Sequence, residues 1–189
     1  AQGNPLALLE LPEELVDRLP RSASTDERLQ RAFSPRLETL SATARTALLL
    51  AAMEPERRAV EAAAAGLGLV APLDEVLREG LLREVDGQLV FRHPVVRSLV
   101  YASADGAAQR SAHAALADAL PGDVDLDRRA WHRAAATEGP DEEVAAMLED
   151  AANRASGRGG QAAAAAALER AAHLSPSPAE AARRFHDAS

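Results

Sequence analysis

The stretch Leu81-Leu82-Arg83-Glu84-Val85-Asp86-Gly87-Gln88-Leu89-Val90-Phe91-Arg92-His93-Pro94 decides how this chain is read. Residues 81–85 and 88–91 read as two short strands. Asp86-Gly87 between them suits a two-residue hairpin turn, in which both central residues need positive φ. His93-Pro94 then opens a helix, because proline is favoured at the first helical position. Val95, Val96, Leu99 and Val100 form its apolar side. Three helices precede the hairpin. Ser41-Ala42-Thr43-Ala44 starts the first, with Ala44, Ala47, Leu48 and Ala51 at helical spacing. The second covers Glu56–Ala65, with Gly66 as its C-cap. Pro72 opens the third, Leu73–Glu79, which Gly80 closes.

Three helices followed by a hairpin is the order of a winged helix, with the hairpin as the wing. Further toward the N-terminus stands Gly3-Asn4-Pro5-Leu6-Ala7-Leu8-Leu9. Asn4 can cap a helix beginning at Pro5. Residues 4–19 read as one or two short helices broken at Pro12, and 20–24 as a polar linker. Thr25 can cap a helix carrying Leu29, Ala32 and Phe33, which Pro35 interrupts. So abrupt an opening suggests a chain cut from a larger protein. From Gly106 onward everything reads as helix, near 107–119, 126–137, 141–156, 160–173 and 178–187. Neighbouring pairs span about 34 residues, the tetratricopeptide period. The strict consensus is absent, so this part is tetratricopeptide-like, a stack that needs neighbouring repeats to cover its last face. The expected fold class is therefore mainly α: a winged-helix domain with a small β-hairpin, then tetratricopeptide-like hairpins. The expected domains are 1–20, 21–104 and 105–189.

Composition agrees with a helical protein. Of the 189 residues, 47 % are hydrophobic, enough for a core, and only 3 % are aromatic. Alanine, the best helix former, makes up roughly a quarter of the chain. All 21 basic residues are arginine. There is no cysteine, which excludes disulfides and thiolate metal sites. The net charge of −8 argues against a general nucleic-acid surface. No signal peptide is visible, and Ala162–Ala167 is too short and too flanked by charge to span a membrane. A cytoplasmic protein is expected.

No catalytic set stands out. Without lysine there is no Walker A sequence and hence no P-loop. The five histidines never fall three or four residues apart, which disfavours a helical metal site. A winged helix invites a DNA-binding reading, but its third helix would set Asp74, Glu75 and Glu79 against Arg78 alone, and the wing adds Glu84 and Asp86. Such acids repel phosphates, so no direct DNA contact is expected. His93 is more informative. An imidazole where a wing ends and a helix begins can present a donor beside a helix N-terminus, an arrangement suited to phosphate. The plainer alternative is a helix cap or a buried polar spacer.

Taken together, Gly3-Asn4-Pro5-Leu6-Ala7-Leu8, a winged helix ending in Phe91-Arg92-His93-Pro94, and alanine-rich helical hairpins resemble the large ATP-binding regulators of the LuxR type. These are bacterial transcription regulators within the STAND class of signal-transduction NTPases. The resemblance implies a parent with a P-loop ATPase core, a lid, a winged helix, a tetratricopeptide-like sensor region and a C-terminal helix-turn-helix. This chain would hold the end of the lid, the winged helix and the start of the sensor. It implies ATP or ADP as the parent's ligand, with Asn4, Pro5 and His93 as the nucleotide-binding residues: Pro5 of the Gly3-Asn4-Pro5 turn against adenine, and His93 reading the β-phosphate of ADP. Arg92 and Pro94 stand where plant and animal relatives have methionine and aspartate. The partners implied are the missing core, the helix-turn-helix and an effector protein or small molecule, and the chain is not expected to be an enzyme by itself. The alternative is a free-standing helical scaffold that binds a protein partner.

Overall fold

The computed structural model describes residues 35–121 and 125–189. It is mainly helical with one small antiparallel sheet, and it divides into two compact units, the first ending at Ala119 and the second covering Leu120–Ser189.

In the first unit, a helical turn at 35–38 leads to α1 (Ala42–Met53), α2 (Arg57–Gly66) and α3 (Asp74–Arg78). Strands β1 (Leu82–Val85) and β2 (Gln88–Phe91) follow, then α4 (Pro94–Ser103) and α5 (Gly106–Ala119). Helix α1 is the hub. From Ala47 to Met53 every residue is buried, because the segment has no polar side chain to turn outward. Its spacing predicts one apolar stripe; in the fold, α2, α3, α4 and α5 all pack around it. Leu48, Leu50, Met53, Leu73, Val76, Val96 and Leu116 fill the core. Each such side chain contributes about 1.5–3 kcal/mol by leaving water.

Local chemistry sets the boundaries. The Ala44 N–H donates to Ser41 Oγ at 3.1 Å, capping α1. Ser41 in turn donates its own N–H and hydroxyl to the two carboxylate oxygens of Glu75, at 3.0 and 2.6 Å, tying α3 to the start of α1. Those bonds hold the Glu75 carboxyl below the usual carboxylate range. Gly66 is the last residue of α2 and not its left-handed cap. That role falls to Gly68, at φ 73°, where the Leu69 N–H closes back on Ala64 O at 2.9 Å. Asp86 and Gly87 take φ 51° and 76°, as the hairpin turn demands. The register is Leu82 with Phe91 and Val85 with Gln88, which turns Leu82, Leu89 and Phe91 inward.

The sequence grouped 105–119 with the helical tail; α5 instead packs on α1 and α2, and its Ala112, Ala115 and Leu116 belong to the first core. The second unit contains α6 (Leu126–Ala136), α7 (Glu142–Gly157), α8 (Gln161–Leu174) and α9 (Pro178–Asp187). Ala130, Ala134, Val144, Ala145, Leu148, Ala171 and Leu174 join α6, α7 and α8. Alanine at these positions lets helix backbones approach closely, and Ala152, Ala155, Ala164 and Ala167 continue the α7–α8 contact. Among the described residues no helix is long and apolar enough to cross a membrane.

Candidate functional site

His93 is placed by three neighbours. Before it, the Arg92 N–H donates to Leu81 O at 3.1 Å, closing the open end of the hairpin. After it, Pro94 begins α4, and the Val96 N–H donates to His93 O at 3.0 Å. His93 thus occupies the N-cap position, half-buried and extended at φ −130°, and its side chain makes no capping hydrogen bond to the helix. Asn4 and Pro5 lie outside the described residues, so of the three predicted contact residues His93 is the one whose place is described.

The hairpin that delivers His93 is anchored on the turn between α1 and α2. The Leu89 N–H donates to Pro55 O at 2.6 Å, the Arg57 N–H donates to Gly87 O at 3.0 Å, and Glu56 bridges Gln88. The Arg57 guanidinium pairs with Glu84 on β1, and with Glu61 at 2.8 Å. Hydrogen bonds from Arg57 to these carboxylates raise its pKa. A hairpin carboxylate thus serves the fold.

One turn into α4 stands Arg97, which the sequence reading did not single out. Its Nε donates to Ala52 O at 2.7 Å, near the end of α1. Its Nη2 is fully buried and has no hydrogen-bond partner. Burial lowers its pKa, against the attraction of Glu54. Glu54 is itself only 2 % exposed, and its carboxylate accepts the Glu56 N–H at 3.0 Å. The signal available in the sequence was the four-residue step from His93 to Arg97, which puts the two on neighbouring turns of one helix.

The second unit carries its own charged centre. Arg184 on α9 is 2 % exposed. It donates to both oxygens of Glu142, at 2.6 and 3.1 Å, to Glu149 at 2.8 Å, and to the Ser175 hydroxyl. Arg183 beside it forks onto Glu149 at 2.8 and 2.9 Å. Hydrogen bonds first from Arg183 and then from Arg184 hold the Glu149 carboxyl at about 2, against the opposing effect of its burial. A further cluster joins α6 to α7, where Asp127 receives Arg154 and Arg158, each at 2.7 Å. Burial works to raise the Asp127 carboxyl, and the two arginines overcome it, leaving its pKa lowered. These groups are fully engaged in joining helices, so they read as structure and not as a reaction centre.

Among the described residues no group of three or more His, Asp and Glu could hold a metal ion. An open groove of about 540 Å³ runs between α7, α8 and the end of α9, lined by Ala152, Asn153, Gln161 and Leu168 among others. Comparison with protein-family models, with curated proteins and with solved structures finds no match to this chain.

Proposed function

We propose that this chain is the regulatory part of an ATP-dependent LuxR-type transcription regulator, and that it couples nucleotide state to an effector-sensing helical domain. In this reading α1 to α4 form a winged helix, and the helices from Leu126 onward are tetratricopeptide-like. The observation that carries the reading is the hairpin running directly into His93 at the N-cap of α4, with Pro94 next. Helix spacing supports the second part: α8 begins at 161, 35 residues after α6 begins at 126, and α9 begins at 178, 36 after α7 begins at 142. Direct DNA contact is not part of the proposal. The helix where it would be sought, α3, has five residues, and its Glu75 is engaged with Ser41.

The mechanism is a switch. Adenine nucleotide held between a P-loop core and this chain keeps the resting arrangement, with His93 on the β-phosphate and Pro5 on adenine. A ligand shifts an equilibrium only by its differential affinity for the two states, so these contacts must be made mainly in the resting one. Effector binding to the helical region favours opening. Two measurements test it. His93→Ala in the parent regulator should raise basal transcriptional activity. By calorimetry, the chain alone should bind ATP weakly; tight binding would contradict the need for a core.

The second reading, a helical scaffold for a protein partner, is favoured by one observation. Helix α9 buries Arg184 and leaves Ala179, Ala182 and Phe185 exposed. A start directly before this segment and a stop directly after it in its gene would favour that reading.

A further inference from the structure

The turn between α1 and α2 receives two separate inputs. The hairpin enters through Pro55, Glu56 and Arg57. Helix α4 enters through Arg97, which reaches Ala52 O and lies in the field of Glu54. Arg92 and His93 join the hairpin to α4, so His93 lies along the chain between the two inputs. A half-buried arginine whose Nη2 is buried and unpartnered is a costly way to stabilise a core, since an unsatisfied buried donor opposes folding. What such a group does supply is direction: it fixes one registration of α4 on α1.

We propose that Arg97 is a positioning residue, holding the His93 end of α4 on the last turn of α1 so that displacement at His93 is passed to the α1–α2 turn and through it to the hairpin. This rests on the reading of His93 as a nucleotide contact, and it names the route by which that contact is felt in the rest of the unit. Helix α4 cannot shift along its axis without breaking the Arg97–Ala52 bond. Breaking that bond exposes the end of α1, which carries Glu54 and leads directly into Pro55, the acceptor for the hairpin's Leu89 N–H.

The test uses this chain, free of nucleotide, with three variants. In Arg97→Met/Glu54→Gln both charges go together, so neither is stranded. Amide hydrogen exchange at Val96, Leu89 and Arg57 should accelerate at least about tenfold, while α6 to α9 keep their protection. Arg97→Lys, which keeps the charge and a donor, should restore at least half of the lost protection. Should the double variant fail to fold, Glu54→Gln alone decides, with a smaller acceleration at the same three amides. Unchanged exchange at these three amides in a folded variant overturns the proposal. So does protection lost evenly across the first unit, which would mark Arg97 as a general stabiliser. No nucleotide enters these readouts, so their failure is distinguishable from failure of the nucleotide reading.

Discussion

Ala71 sits at φ 45° in the turn between α2 and α3, where an L-residue is strained. Glycine would relieve that strain, so Ala71→Gly should stabilise the first unit by about 0.5–1 kcal/mol, read as a higher urea midpoint with unchanged slope. The neighbouring Val70 is 84 % exposed, so nothing in the core opposes the change. Arg184 is the opposite case. It is buried among two glutamates and a serine, and its removal takes the arginine from Glu142 and leaves Glu149 with Arg183 alone. Arg184→Ala should cost about 3 kcal/mol in chemical denaturation, the scale of a broken buried ion pair. Arg158→Ala should cost under about 1 kcal/mol, because Arg158 is largely exposed and Arg154 remains on Asp127.

At the scale of the element, the docking of α9 on α7 depends on pH. The Glu149 carboxyl titrates at about 2 in the fold against an ordinary 4.5. A depressed carboxylate contributes stability that is complete above about 4.5 and is lost as pH falls toward 2. The chain should therefore lose stability across that window, and Glu149→Gln should flatten the dependence; equal slopes in the two proteins would exclude Glu149 as its source. The elements themselves were largely legible. Asp86-Gly87 announces its turn because the required backbone angles exclude most other residues there, and Ser41 announces α1 because its cap bond spans three residues. What was not legible is what crosses the chain. Glu75 meets Ser41 from 34 positions away, and Arg184 meets Glu142 from 42. Alanine-rich α5 carries no local mark of which unit it joins. Nothing in the string Pro94–Arg97 tells that Arg97 reaches back to Ala52.

At the scale of the whole molecule, two units each have their own core, one centred on α1 and one on the alanine-lined contacts of α6, α7 and α8. The His93 end of α4 belongs to the first, the charged cluster of α9 to the second. The account's central claim is that His93 contacts the β-phosphate of ADP in the resting regulator. Its legibility was partial: the sequence located the histidine at the junction of hairpin and helix, but Asn4 and Pro5 lie outside the described residues. The most direct measurement is the dissociation of ADP from the parent regulator, wild type against His93→Ala. A hydrogen bond to a charged group contributes about 1.5–3 kcal/mol, so the variant should bind ADP at least about tenfold more weakly and release it correspondingly faster. Equal retention of ADP by the two proteins would contradict the account.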